Sequence, residues 1–259
     1  MTLYLSTNGP LHRLHRLHPL TKLTWLLAVL AASLLGPSVW LPLGLFLLTL
    51  LLAMWGGVGR VWLRRNGRLL LPLIVMLFVI HGFFNPNGQT PLLIVWRLTL
   101  TLEGVAYAFL LSSRLAAIVG AALLLLLTTH PGDLLTALTQ RGLPPALAYI
   151  ISSTLYILPQ MQSKATAIMQ AQQARGLETE GSLWRRARAL LPLLAPLVLG
   201  ALVDSEERAI ALESRGFRVR GPKSSLVELP DSPSQRWLRT GLLLGILLLI
   251  GWRLWRLFA

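Results

Sequence analysis

Several long stretches of the chain contain no charged side chain, and they limit the kind of protein that it can form. No Asp, Glu, Lys or Arg occurs in residues 23–59, 69–96 or 115–132. A membrane-spanning helix needs ~20 mainly apolar residues, and the first stretch is long enough for two such helices, separated at Gly36-Pro37. Only 13% of the 259 residues are charged, against ~25% in soluble domains. The sequence therefore predicts an integral membrane protein embedded in a lipid bilayer.

The positive charge lies beside the apolar stretches. The formal net charge is +14, and basic residues precede the first stretch and follow its second half: Arg13, Arg16, Lys22, Arg60, Arg64, Arg65 and Arg68. This pattern is typical of cytoplasmic loops and of contact with anionic lipid. It places the N-terminus in the cytoplasm and argues against a nucleic-acid partner, since no nucleic-acid-binding motif accompanies it.

Hydropathy predicts about five spans. We expect helices over residues 23–35, 39–55, 69–84 and 98–128, and a last span over 240–252. The NPNGQTP segment, residues 85–91, is predicted to be an external turn, because Pro and Gly end helices. A cleaved signal peptide is the alternative for the N-terminus, but the apolar stretch resumes at once at Val39, which favours a helical hairpin.

Acidic residues are concentrated in the second half of the chain. Nine of the ten lie beyond Pro131, where the apolar segments 144–160 and 189–203 are short and interrupted by proline. We expect these segments to form helices on the cytoplasmic face. The predicted organisation is therefore an N-terminal membrane region with about four spans, a cytoplasmic region and a C-terminal transmembrane helix: 1–130, 131–235 and 236–259.

One short motif occurs twice, with its arginines 40 positions apart. A small residue, an arginine and a glycine follow a helical stretch each time: Ala174-Arg175-Gly176 and Ser214-Arg215-Gly216. Glycine suits the left-handed position after a helix, and an arginine before it lies at the negative end of the helix dipole. Its guanidinium can offer two parallel hydrogen bonds to a carboxylate of a partner. The alternative is two ordinary helix ends with dipole-compensating arginines.

Motifs for catalysis and for bound groups are missing from the sequence. It has no GxxxxGK[ST] phosphate loop, no HExxH and no GxSxG, and it has no cysteine. We therefore expect no catalytic residue, no cofactor and no resident metal. His12, His15 and His18 recur at a spacing that could place neighbours on one helix face, so a metal site is an alternative there. A basic amphipathic segment on lipid headgroups is the favoured interpretation.

At the paired arginine motifs the sequence resembles the T component (the EcfT/CbiQ family) of energy-coupling factor transporters, which are ABC-type importers. The segment QRGLPPALAYI, residues 140–150, resembles that family's entry to its first coupling region. His18-Pro19-Leu20-Thr21-Lys22 is similar to the family's opening Asp-Pro-Arg-x-Lys, with His18 and Leu20 at the acidic and arginine positions.

The resemblance implies an all-α membrane protein in a bacterial cell membrane, with two cytoplasmic coupling helices that cross in an X. It implies a non-catalytic subunit that links two ABC ATPase subunits to a small hydrophobic S component for uptake of a vitamin or transition-metal ion. Arg175 and Arg215 would dock on the ATPases, and their neighbours would shape the helix ends: Ala174, Gly176, Ser214 and Gly216. The alternative function is a conventional ABC importer permease that lines the substrate path itself.

Overall fold

The computed structural model describes residues 14, 17–36, 38–84, 90–95, 98–177, 183–219 and 229–258. Within these ranges the chain forms eight helices and one short hairpin. In chain order they are α1 Pro19–Leu35, α2 Trp40–Trp55, α3 Gly59–Phe83, β1 Pro91–Val95, β2 Leu98–Thr101, α4 Leu102–Thr128, α5 Pro131–Thr139, α6 Pro145–Ala174, α7 Leu183–Ser214 and α8 Pro233–Phe258. The predicted all-α membrane class is confirmed.

In the part of the chain that the structure describes, three long helices are candidate spans and two shorter apolar helices accompany them. α3, α4 and residues Pro233–Arg256 of α8 are long and apolar enough to cross a membrane, and α1 and α2 are shorter apolar helices. Many large apolar side chains of α3 and α8 are exposed on the protein surface, including Leu71, Met76, Leu244 and Leu248. Such a surface is stable against lipid rather than water.

The chain divides into two compact units, residues 1–141 with 228–259, and residues 142–227. In the first unit α4 packs against α1, α2 and α3. The indole N–H of Trp62 on α3 donates to the carbonyl oxygen of Gly120 on α4 at 2.8 Å. A Cβ on Gly120 would lie 2.8 Å from the Trp62 ring, so glycine permits this close approach of the two helices.

Three details differ from the expectations. The helix expected from residue 69 begins at Gly59, so Arg60, Arg64 and Arg68 lie on a helix rather than in a loop. Their side chains are exposed, while Trp62, Asn66 and Leu70 form the buried face one turn apart. An amphipathic first half explains why charged residues continue the helix.

The other differences concern a hairpin and the prolines. Residues 98–101 form β2, which pairs with β1 in an antiparallel hairpin, and α4 therefore begins at Leu102. Pro159 lies inside α6, and Pro192 and Pro196 lie inside α7. Each proline removes one backbone hydrogen bond. The remaining backbone hydrogen bonds are enough to keep α6 continuous over 30 residues and α7 continuous over 32 residues.

Candidate functional site

The first arginine motif closes α6 with a left-handed glycine cap. α6 ends at Ala174, and Arg175 is the capping residue. The Gly176 N–H donates to the Gln173 carbonyl at 2.9 Å, and the Leu177 N–H donates to the Gln172 carbonyl at 3.0 Å. These two bonds define a Schellman motif, which requires a left-handed residue at the glycine position. Gly176 has φ +92°, as the sequence predicted.

The second motif closes α7 in the same way. α7 ends at Ser214, and Gly216 has φ +67°. The Gly216 N–H donates to the Glu213 carbonyl at 2.9 Å, and the Phe217 N–H donates to the Leu212 carbonyl at 3.0 Å. Arg215 therefore occupies the same position in its cap as Arg175 does in the other. The repeated sequence corresponds to a repeated local structure.

Both motif arginines lie on the surface. Ala174, Arg175, Ser214 and Arg215 are all exposed. Among the residues that the structure describes, no side chain forms a hydrogen bond or ion pair with either guanidinium. Each guanidinium lies beside the carbonyl end of a long helix, where a cation is favoured. Such a group can bind a carboxylate through two parallel N–H donors.

α6 and α7 run antiparallel and meet along one face. The Tyr149 and Phe217 ring centroids are 5.4 Å apart. The Arg208 Nη2 donates to Gln160 Oε1 at 2.9 Å, and Lys164 forms an ion pair with Asp204. As the residue number rises on α6 it falls on the contacting part of α7, so the two helix C-termini point in opposite directions. The predicted crossing of these helices in an X stays a prediction.

The Lys164–Asp204 ion pair lies midway between the two arginine motifs. Arg175 lies 11 residues after Lys164, and Arg215 lies 11 residues after Asp204. At ~1.5 Å per residue, each cap is ~17 Å from the ion pair along its own helix. The two arginines are therefore on the order of 30 Å apart, at opposite ends of the helix pair. This separation gives room for two different protein molecules.

An apolar groove lies between α6 and α7. Its volume is about 310 Å³, and its lining includes Tyr149, Ile157, Met161, Ala201 and Leu212. In the described ranges no group of three His, Asp or Glu side chains is placed to hold a metal ion. His12 and His15 lie outside the described residues, while His18 caps the start of α1 by accepting the Leu20 N–H on Nδ1 at 3.3 Å.

The structure also brings together a charged cluster that the sequence did not predict. The Asp231 carboxylate accepts hydrogen bonds from Arg239 Nη2 at 2.6 and 2.8 Å, from Arg236 Nε at 3.2 Å and from Arg141 Nη2 at 3.3 Å. The Arg239 Nη1 lies 3.2 Å from His18 Nδ1. Arg236 and Arg239 follow Asp231 closely in the sequence, but Arg141 lies 90 positions before Asp231 and His18 lies 221 positions before Arg239, so no local pattern could indicate the whole cluster.

Burial and charge set the protonation of this cluster. Burial lowers the pKa of His18 below its ordinary 6.5; Asp231 opposes this shift, while Arg239 adds to it. Burial of Asp231 works to raise its pKa, but the Arg239 hydrogen bond and the positive charges of Arg239, of His18 (which is protonated in acid) and of Arg236 outweigh it, and the pKa falls below 3.8. Near neutral pH, Asp231 is therefore an anion and His18 is uncharged.

The chain is similar to known membrane transport proteins. Residues 12–225 match the family model CbiQ, described as cobalt transport protein. An energy-coupling factor transporter transmembrane protein EcfT of Listeria innocua is 30% identical over 83% of this chain and 83% of its own length. Those of Bacillus selenitireducens and Brevibacillus brevis are each 36% identical over 56% of this chain, which spans only 57% and 58% of their lengths.

These matches agree with the helices already described. The matched family is one of transport proteins, which confirms the prediction of a membrane transport component rather than an enzyme. Its matched residues include both arginine caps and the helices that carry them. The chain is therefore a multi-pass cell-membrane protein that belongs to the CbiQ family, to which its energy-coupling factor relatives also point.

Proposed function

We propose that this chain is the coupling subunit of an energy-coupling factor importer. It joins two ABC ATPase subunits to a small hydrophobic S component that binds a vitamin or a transition-metal ion. Arg175 and Arg215 dock on the ATPases, and the small residues beside them let a partner approach: Ala174, Gly176, Ser214 and Gly216. The relatives' names support the transporter assignment, while the partners and the cargo class are our proposal.

The observation that carries the proposal is the identical cap at the ends of α6 and α7. Each cap presents an exposed arginine at the same position. The caps lie at opposite ends of an antiparallel helix pair, so each can enter a separate partner. A guanidinium that is desolvated against a carboxylate would make each docking strongly dependent on the arginine.

The first experiment identifies the partners. The full chain is purified with an affinity tag in mild detergent, and the proteins that remain bound are identified by mass spectrometry. We expect two ABC ATPase subunits and one small hydrophobic protein. A chain that retains ATPases and itself binds a cargo without a third protein would support the permease alternative.

The second experiment tests the arginines. Arg175→Ala and Arg215→Ala should each cost ~2–5 kcal/mol of docking free energy, because a partner carboxylate is left buried and unpaired. This is a factor of at least roughly 30 in affinity, and the double substitution should abolish ATPase retention. Arg218→Ala is the control, since Arg218 is an exposed arginine two residues beyond the second motif. Full retention by the double variant would contradict the docking role.

A further inference from the structure

We propose that Asp231 is a positioning residue that passes movement of the coupling helices to the membrane helices α1 and α8. The proposal rests on the proposed function, since it assumes that ATPases act on α6 and α7. The link consists of Arg141, Asp231, Arg239 and His18, and we call it the Asp231 link.

We call residues 142–227, the compact unit that carries α6 and α7, the coupling unit. Asp231 connects the two places where the chain enters and leaves this unit. Arg141 is the last residue before that unit, and Asp231 lies shortly after the chain returns at residue 228. The Arg141 Nη2 donates to Asp231 Oδ2 at 3.3 Å. Both ends of the segment that carries α6 and α7 are thus held at one carboxylate. Movement of either end therefore displaces the Asp231 carboxylate.

The carboxylate is connected in turn to α8 and α1. Arg239 on α8 is 6% exposed, so its charge depends on Asp231 for compensation. The other terminal nitrogen of Arg239 meets His18, the capping residue of α1. The His18 backbone N–H also donates to Gln235 Oε1 on α8 at 2.8 Å. A shift of Asp231 therefore acts on the starts of both helices.

Substituting two arginines of similar exposure, one at a time, distinguishes a positioning role of Asp231 from a purely structural one. The side chains of Arg141 and Arg236 are 57% and 64% exposed, and each donates one hydrogen bond to the same Asp231 oxygen. Arg236 belongs to α8 itself, whereas Arg141 lies at the entrance to the coupling unit. Removing either one deletes one exposed charge. Only removal of Arg141 breaks the contact between the Asp231 carboxylate and the chain segment that leads into residues 142–227.

The test uses a single-cysteine reporter in the full chain, purified with its ATPases. The chain has no cysteine, and Ser234→Cys places an exposed thiol in the first turn of α8. The rate of thiol labelling is measured without nucleotide and with ATP plus vanadate. We expect ATP to change the rate in the reporter chain and in Arg236→Ala. In Arg141→Ala and Asp231→Asn the change should fall to less than half, and Arg141→Lys should restore most of it.

The outcomes distinguish this proposal from the proposed function. An equal ATP-dependent change in Arg141→Ala and in the reporter chain would overturn the positioning role. A reporter that does not respond to ATP in any variant would also overturn it, even though the bound ATPases would leave the docking role intact. Loss of ATPases from the unmodified chain would instead count against the proposed function. Thermal unfolding of Arg141→Ala, expected to match that of Arg236→Ala, shows that both variants are folded.

Discussion

The ammonium group of Lys22 donates a hydrogen bond of 2.8 Å to the carbonyl oxygen of Thr128, the last residue of α4. Both residues are buried. The last four carbonyls of a helix have no partner within the helix, so Lys22 satisfies one of them and lies at the negative end of the α4 dipole. α1 is thereby fixed to the end of the central helix.

Lys22→Met should destabilise the protein by about 1–3 kcal/mol. Methionine fills a similar volume, but the Thr128 carbonyl is left buried without its donor. Thermal unfolding of the purified chain in detergent measures the loss. Arg68→Met is the control, because Arg68 is exposed on α3 and such surface changes stay within about 0.5 kcal/mol. Equal unfolding temperatures for the two variants would contradict the role of Lys22.

Gly176→Ala and Gly216→Ala should each weaken the retention of ATPases. Both glycines have left-handed backbone conformations, and a Cβ there costs roughly 1–2 kcal/mol. This cost favours a different backbone conformation next to the arginine. At Gly216 a Cβ would also lie 3.3 Å from Val219, so its loss should be the larger. Asparagine should be tolerated better at both positions, since it adopts this conformation more readily.

Gly200→Ala provides the matched control for the cap variants. Gly200 lies inside α7, and no atom lies within 4 Å of a Cβ there. Alanine should stabilise this helix by roughly 0.5–1 kcal/mol and leave ATPase retention unchanged. If Gly176→Ala behaves like Gly200→Ala, the cap geometry does not matter for docking.

The two ends of α3 should lie on opposite faces of the membrane. Arg64 and Phe84 are exposed and are separated by ~30 Å of helix, close to the thickness of the hydrocarbon core. Arg64→Cys should react with an impermeant reagent only from the cytoplasmic side, and Phe84→Cys only from outside. Reaction of both from one side would refute this topology. Asn66 is unsuitable for such a test, because it is only 1% exposed.

Mild acid should destabilise the start of α1. The pKa of His18 is lowered in the folded protein, so the unfolded chain binds the proton first and stability falls as the pH drops below 6.5. Protonation of Nδ1 would also remove the acceptor for the Leu20 N–H and for Arg239. His18→Asn keeps a capping oxygen and does not titrate. Its unfolding temperature should change less between pH 7.5 and pH 5.5; equal changes would contradict the assignment.

The apolar stretches predicted the membrane helices because lipid allows few alternatives. A segment such as 115–132 must satisfy its backbone hydrogen bonds internally, and a helix does so. α3 begins ten residues before the start that hydropathy predicts, because four arginines interrupt the apolar sequence there. The exposed Arg60, Arg64 and Arg68 alternate with the buried Trp62 and Asn66 at helical spacing. That periodicity was present in the sequence.

Local sequence also predicted the helix caps but not the Asp231 link. A glycine after a helical stretch carries its own conformational requirement, so Gly176 and Gly216 could be placed by pattern alone. His18 and Arg239 are 221 positions apart, and only the packing of α1 against α8 brings them together. Long-range polar contacts of this kind depend on tertiary structure, and no periodic pattern in the sequence indicates them.

The equal spacing of the two caps from Lys164 and Asp204 gives the α6–α7 pair an approximate two-fold axis. Rotation by half a turn about this ion pair exchanges α6 with α7 and Arg175 with Arg215. Two copies of one protein, or two homologues arranged about a dyad, would thus meet equivalent arginines in equivalent orientations. An asymmetric membrane subunit can in this way present a symmetric face to a symmetric pair of partners.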